Sequence, residues 1–216
     1  MYSYVSKSAV KPARKICSAL LAGMKECLQE DGIEIRIEPV GSAKTNLVTR
    51  NGNEPFDLDF DILVYNGMEL RELKDKALRA AREGADAYGF RKIQDSTSAI
   101  TCIHYKEGTD AIDFRLDLGI VVMKSKGRGY RLIHDKAKDD YVLNEKPIRY
   151  EKLEQQRIAI KRNDMTGELR KAYLEKKNYY LAEADRNHPS FVVYAEAVNQ
   201  TYQKIKDKGG TKNVKR

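Results

Sequence analysis

The apolar positions in the first part of the chain alternate between helical and extended spacing. Residues spaced at i, i+3, i+4 and i+7 predict an amphipathic helix beginning near Ala13. The apolar stripe of this helix consists of Ile16, Cys17, Leu20, Leu21, Met24, Cys27 and Leu28. Asp31-Gly32 ends the helix. The strict alternation of IEIRIEPV then predicts a half-buried strand from Ile33 to Val40, which runs directly into Gly41-Ser42.

The same spacing rules predict the elements in the middle of the chain. A strand covers Phe56 to Tyr65, and a second helix covers 70–81 and stops near Gly84. The segment 96–123 predicts two strands about a turn at 108–110. In the second of these strands the apolar residues point one way and the charged residues the other way. The apolar set is Ile112, Phe114, Leu116 and Leu118, and the charged set is Asp113, Arg115 and Asp117.

The character of the chain changes after Lys124. The run KSKGRGYRLIHDKAKDD predicts a basic connecting segment, and the sequence is helical and heavily charged from about Tyr150. The last helix opens after Pro189-Ser190 and ends at Gly209-Gly210. We therefore expect a first domain over 1–148, a helical domain over 149–208, and a disordered basic tail over 209–216.

Composition narrows the functional classes. The formal charge of +8 suits a polyanionic ligand such as a nucleotide or RNA without requiring one. The three cysteines and three histidines are scattered, so neither a zinc site nor a Cys-His nucleophile is supported, and the cysteines are expected to be reduced core residues. The start MYSYVSKSAVKPARK contains no apolar segment of signal-peptide length, and no later run approaches a membrane span. We expect a cytoplasmic protein that does not contact a membrane.

The strand from Phe56 to Tyr65 places like charges side by side. Alternation puts Asp57, Asp59 and Asp61 on one face, about two residues apart, which is costly without a cation. Mg²⁺ resolves this cost, because a hard divalent ion prefers two or three carboxylates together with substrate phosphates. The alternative is an edge strand whose acids are merely solvated.

Two further features favour a metal site over an edge strand with solvated acids. Gly41-Ser42 sits at a strand end before AKTN, so its backbone N–H groups, the Ser42 hydroxyl and the Lys44 ammonium could bind the terminal phosphates of a nucleoside triphosphate. The spacing is not that of a Walker loop. Asp113 in AIDFRLDL is a further acid on a strand that could lie beside the strand of Asp59.

The combination of Gly-Ser, a DxD strand and a third acid on a later strand resembles the nucleotidyltransferase superfamily typified by DNA polymerase beta. The resemblance covers Ile33 to Val122 and does not identify a branch, and the helical third of the chain matches none. It implies an α+β fold: a small mixed β-sheet core packed with helices, followed by an α-helical C-terminal domain.

The resemblance also implies the roles of the matching residues. Gly41-Ser42 would bind the β and γ phosphates, and the DxD pair would bind two Mg²⁺ or Mn²⁺ ions. Asp113 would help to hold the metal nearer the attacking hydroxyl and accept its proton. The reaction would be an in-line displacement at the α-phosphorus with pyrophosphate leaving.

One departure from the family pattern leaves open which two aspartates form the metal-binding pair. The 14 residues between Ser42 and Asp57 form a longer connection than is typical of the family. Either Asp57 with Asp59 or Asp59 with Asp61 could be the metal pair, and Asp59 belongs to both. IDFRL matches the strand of the third acid better at Asp113 than at Asp117, although both lie on the same face.

We therefore expect a metal-dependent nucleotidyltransferase with a nucleoside triphosphate donor, ATP in particular. The acceptor is open: an RNA end, a second nucleotide, a small molecule or a protein hydroxyl. A protein partner is not identified. The alternatives are a catalytically degenerate protein of the same fold that binds nucleotide or a partner, and a basic RNA-binding module whose acids are only a solvated strand face. Residues 124–131 are a candidate contact for RNA phosphates.

Overall fold

The computed structural model describes residues 1–125, 128–144, 151–185, 189–207 and 209. In chain order its elements are β1 (Tyr2–Tyr4), α1 (Lys7–Glu30), β2 (Ile35–Pro39), α2 (Gly41–Thr45), β3 (Thr49–Asn51), β4 (Phe56–Val64), α3 (Leu70–Ala85), a 3-10 turn (Asp86–Tyr88), β5 (Phe90–Asp95), β6 (Ile100–Tyr105), β7 (Ile112–Lys124), β8 (Arg128–Asp135), β9 (Asp140–Leu143), α4 (Glu151–Arg162), α5 (Thr166–Ala182) and α6 (Ser190–Asp207). Tail residues 210–216 lie outside the described residues, so the expectation of disorder there is untested.

The chain divides into two units. One consists of 5–149, and the other joins 1–4 to 150–216. The first four residues are therefore grouped with the C-terminal helices, whereas the sequence-based division placed them in the first domain. No helix among the described residues is long and apolar enough to cross a membrane.

The first helix starts earlier than the apolar stripe because a side chain caps it. Ser6 accepts a hydrogen bond from the backbone N–H of Ala9 at 3.2 Å, which satisfies one of the N–H groups left free at a helix start. The helix therefore begins at Lys7, and the stripe from Ala13 to Leu28 is buried along one side.

A mixed sheet forms the centre of the 5–149 unit. Its strand order is β2-β4-β7-β6-β5, β8 also pairs with β7, and β9 pairs with β8. The β4–β7 pair is parallel, and the other pairs in this sheet are antiparallel. Since β4 lies between β2 and β7, the alternative of a solvated edge strand is wrong.

One face of this sheet packs against α1 and α3. Alternate residues of β4 and β7 join the apolar sides of both helices in one core. The strand residues in this core are Phe56, Leu58, Phe60, Ile62 and Val64 of β4, and Phe114, Leu116, Leu118, Ile120 and Val122 of β7. The period of two therefore directs the remaining residues, the acids among them, to the opposite face.

The prediction for the segment after Lys124 is wrong. Residues 128–135 and 140–143 form β8 and β9 rather than a basic connection. Tyr130 and Leu132 lie on either side of Arg131, a short alternation that the surrounding lysines and glycines obscured. The strand β5 was not predicted either, because its residues FRKIQD carry only two apolar positions.

The C-terminal unit is helical, as the sequence predicts from Tyr150 onward. The helix α6 packs against α4 and α5 through small and β-branched residues, among them Ala197, Val198 and Thr201. The strand β1 belongs to this unit, because the Tyr4 hydroxyl donates to the carbonyl of Arg170 at 2.6 Å.

Candidate active site

The parallel pairing of β4 with β7 sets the geometry of the acid face. Asp59 lies directly opposite Asp117, Asp57 opposite Arg115, and Asp61 opposite Gly119. Neighbouring strands are about 4.8 Å apart, so the Asp59 and Asp117 side chains share one small region of the face. We call Asp57, Asp59, Asp61 and Asp117 the acid face.

Asp59 occupies the most unfavourable position for a negative charge. Burial raises its pKa to about 6, and the charges of Asp117, Asp57 and Asp61 act in the same direction. Arg131 opposes the shift but does not cancel it. Burial and the neighbouring like charges therefore disfavour the ionised form of Asp59, which a cation bound nearby would stabilise.

Asp117 is oriented by a hydrogen bond from the neighbouring strand. The Thr101 hydroxyl donates to Asp117 Oδ1 at 2.6 Å, and the two residues are register partners in β6 and β7. Ser96 Oγ lies 3.0 Å from the same hydroxyl. The second carboxylate oxygen of Asp117 is not used in this bond.

The two outer aspartates of β4 are paired with arginines to different degrees. Asp57 lies 3.4 Å from Arg115 Nη1, and both side chains are more than a third exposed. Asp61 lies 2.8 Å from Arg131 Nη2, and its side chain is only 7% exposed. Burial raises the pKa of Asp61, and the Arg131 guanidinium opposes that effect. Solvent screens the first pair much more than the second.

The Gly41-Ser42 turn lies beside the central acid. The backbone N–H of Val40 donates to the carbonyl of Asp59 at 2.9 Å, which fixes the start of α2 against β4. Gly41 has φ +52°, and a Cβ there would lie 3.2 Å from Asp59 Oδ2. Both the backbone conformation and this close approach therefore favour glycine. Ser42 is half-buried and Lys44 is exposed on the same short helix.

Asp113 is placed away from this group. It precedes Phe114, the first residue of β7 in the pairing register with β4, and its Oδ2 lies 3.6 Å from His104 Nδ1. Four strand positions separate it from Asp117, or about 13 Å at 3.3 Å per residue. The register therefore puts Asp117, rather than the preferred Asp113, beside Asp59.

The donor set fits a hard divalent ion in number and chemistry. Asp57, Asp59 and Asp117 carry carboxylate oxygens of the kind that Mg²⁺ prefers, and burial together with the neighbouring aspartates raises the pKa of Asp59. Within the described ranges, no three acidic, histidine or cysteine side chains are already gathered closely enough to hold a metal. Metal binding would therefore require these carboxylates to turn towards a common point.

The architecture is similar to that of solved CD-NTase structures. No protein-family profile matches the chain, and no curated protein matches its sequence. The fold comparison rests on solved structures at 14–17% identity, which is evidence for a shared fold alone.

Three of these structures illustrate the likeness. CdnC of E. coli MS115-1, solved with ATP, matches with a TM-score of 0.56 and 14% identity, over 91% of this chain and 62% of that one. CdnG of Bradyrhizobium diazoefficiens, a CD-NTase in complex with GTP, matches with a TM-score of 0.51 and 17% identity, over 78% and 58%. GTP-bound DncV of Vibrio cholerae matches with a TM-score of 0.52 and 16% identity, over 92% and 52%. This chain thus spans between about half and three fifths of their lengths.

Several residues of the site were missed or misplaced by sequence reasoning. Arg131 fell within the supposed basic connection, and Thr101 and Gly119 were not singled out. A signal for the register was present, because FDLDFDILV of β4 and FRLDLGIVV of β7 align position by position. That alignment puts Asp59 level with Asp117 and Asp61 level with Gly119.

Proposed function

We propose that the chain is a metal-dependent nucleotidyltransferase that moves a nucleoside monophosphate from a nucleoside triphosphate to a hydroxyl, with release of pyrophosphate. The observation that carries this proposal is the register pairing of Asp59 with Asp117 on adjacent parallel strands, with Gly41 against Asp59. The shared fold with CD-NTases supports it.

Each part of the site has a role in this proposal. Asp57, Asp59 and Asp117 would hold two Mg²⁺ or Mn²⁺ ions, which when bound supply charge neutralisation for displacement at phosphorus. Asp117 takes the position expected of Asp113 and accepts the proton of the attacking hydroxyl. Gly41 and Ser42 hold the terminal phosphates beside Asp59, and Lys44 contacts them from the exposed side of α2.

The proposed donor is ATP, and the proposed acceptor is the hydroxyl of a second nucleotide. Among the structural neighbours, CdnC was solved with ATP and CdnG with GTP. Vibrio cholerae DncV, a cyclic AMP-GMP synthase, was solved with the linear intermediate pppA(3′,5′)pG. Use of residues 124–131 as an RNA contact is less favoured, because Arg131 is directed to Asp61.

The test is pyrophosphate release from each of the four ribonucleoside triphosphates, singly and in pairs, with Mg²⁺ or Mn²⁺ and with or without RNA. Labelled products are resolved by size. We expect a dinucleotide product that Asp59→Asn and Asp117→Asn each reduce by about a thousandfold or more, since a ligand to the catalytic metals is lost.

Asp113→Asn is the matched control, because it removes a carboxylate of the same strand face away from Asp59. It should retain turnover within about threefold. Full turnover in Asp59→Asn would overturn the proposal. Mg²⁺-dependent nucleotide binding with no pyrophosphate release from any donor and acceptor would instead support the degenerate binding protein.

A further inference from the structure

Arg131 reaches the acid face across a gap made by a glycine. It is the register partner of Val121, two residues beyond Gly119 on β7. Its guanidinium extends back over Gly119 to place Nη2 2.8 Å from Asp61 Oδ1. A Cβ on Gly119 would lie 1.8 Å from Arg131 Nη1 and 2.6 Å from Asp61 Oδ1. Only the absence of a side chain at Gly119 leaves room for this ion pair.

The Asp61–Arg131 ion pair differs from the Asp57–Arg115 pair at the other end of the three β4 aspartates. Asp61 is almost fully buried, and its carboxylate is engaged at charge-assisted hydrogen-bond distance. Asp57 and Arg115 are 3.4 Å apart and well exposed, so solvent weakens their attraction and a cation can compete for Asp57. Along β4, the ion pair is therefore buried at the Asp61 end and more exposed to solvent at the Asp57 end.

We propose that Arg131 is a positioning residue of the acid face. By holding Asp61 over Gly119, it keeps the third aspartate of β4 out of the metal-binding set and restricts that set to Asp57, Asp59 and Asp117. This inference rests on the proposed function, because it concerns which carboxylates bind the metal. It explains how one strand can carry three alternate aspartates when the metal site uses two of them.

The test is Mn²⁺ binding to the full chain without nucleotide, measured by calorimetry and by the electron paramagnetic resonance of free Mn²⁺. Arg131→Met frees the Asp61 carboxylate, so we expect Mn²⁺ to bind at least threefold more tightly. Asp61→Asn leaves the Arg131 charge unbalanced beside the site, so binding should weaken. The double variant Asp61→Asn/Arg131→Met should return to within about threefold of the native affinity.

Three further variants complete the experiment. Arg131→Gln removes the guanidinium charge while it keeps a polar side chain beside Asp61, and it should tighten Mn²⁺ binding in the same direction as Arg131→Met, which keeps the test available should that variant fail to fold. Arg128→Met, on an exposed position of the same strand, should change nothing. Asp117→Asn measures how far the Mn²⁺ affinity falls when a metal ligand is lost, and we expect it to weaken binding at least tenfold.

The outcomes separate this inference from the proposed function. If the native chain binds Mn²⁺ but the double variant loses binding as Asp117→Asn does, Asp61 is a ligand and the inference is overturned. Unchanged Mn²⁺ affinity in both Arg131→Met and Arg131→Gln would overturn it as well, and would reduce the pair to a structural contact. A native chain that binds no Mn²⁺ without nucleotide overturns the inference alone, because the proposed function is decided separately by the release of pyrophosphate.

Discussion

On the face of the sheet covered by α1 and α3, the side chains of β4 and β7 are apolar and buried, whereas the alternate side chains of the same strands form a row of acids and arginines. The covered face contributes to stability by removing apolar area from water. The acid face does the opposite at Asp59, where burial and three neighbouring carboxylates raise the pKa to about 6. Sites that bind metals and phosphates commonly carry such local instability.

Charge near the covered face is handled differently from charge on the acid face. Lys74 of α3 is only 1% exposed, and its ammonium lies 2.8 Å from Asp95 Oδ1 and 3.3 Å from the carbonyl of Ala99. Asp95 also accepts from the Tyr141 hydroxyl at 2.6 Å. The buried charge is thus balanced by a fixed protein partner, whereas Asp59 shares its surroundings with like charges.

Comparing the two faces of the sheet, we expect the largest loss of stability from a substitution on the face covered by α1 and α3. Phe114 is fully buried and stacks on Phe56 and His104, so Phe114→Ala should lower the free energy of unfolding by about 3–5 kcal/mol. Urea unfolding measures the loss. The neighbour Arg115 points to the other face, and Arg115→Ala should cost less than about 1 kcal/mol. Equal losses at the two positions would contradict the assignment of faces.

A second prediction concerns the buried ion pair between Lys74 and Asp95. Lys74→Met removes the cation and leaves Asp95 partly buried without it, so the free energy of unfolding should fall by about 3 kcal/mol. The more exposed pair Lys76–Glu72 on the same helix, with Lys76 half-buried and Glu72 exposed, is the control, and Lys76→Met should cost about 0.5 kcal/mol or less. Thermal unfolding distinguishes the two. If Lys74→Met lowers the free energy of unfolding no more than Lys76→Met does, the Lys74–Asp95 pair contributes nothing to stability.

On the acid face, removal of a charge should stabilise the fold. Because the pKa of Asp59 is raised to about 6 from 3.8, the folded state binds its proton more tightly than the unfolded state does. The ionised form therefore costs stability above pH 6. Asp59→Asn should raise the free energy of unfolding by about 1–2 kcal/mol at pH 8.

The gain should shrink as the pH falls below about 6 and vanish below the unfolded pKa of 3.8, where native Asp59 is protonated in both states. Denaturation at pH 8 and at pH 5 in a metal-free buffer measures the change. A gain that grows towards low pH would reverse the predicted sign. Together with the loss of transfer activity, the predicted result would show that Asp59 lowers stability while serving function.

The smallest predicted effect separates backbone strain from contact with the site. Gly41 and Gly52 both have positive φ, +52° and +54°, but a Cβ would meet Asp59 only at Gly41, and at Gly52 it would meet nothing within 4 Å. Gly41→Ala and Gly52→Ala should each lose about 1 kcal/mol of stability. Only Gly41→Ala should also weaken Mn²⁺ or ATP binding, by calorimetry. Equal binding losses in both variants would contradict a local role for Gly41.

Much of the fold was accessible from the sequence because its elements follow clear periodicities. The strands β2, β4 and β7 and the last helix were predicted within a few residues of their bounds, whereas α1 was predicted to begin six residues too late, at Ala13 instead of Lys7. The hairpin of β8 and β9 was not, because lysines and glycines hid a short strand that is defined by its pairing with β7 and β9. Arg131 was lost with that hairpin, although it carries the ion pair to Asp61.

The sequence by itself determined that three aspartates of one strand share a face, since a period of two is a local property of any strand. It also determined that Gly41-Ser42 precedes that strand. Only the tertiary structure decided which acid faces Asp59, because the alternating patterns of β4 and β7 also fit registers shifted by two residues, and packing between segments more than fifty residues apart selects one of them. It likewise decided that Asp61 pairs with Arg131, because that contact needs the gap at Gly119 and a strand that local sequence did not reveal.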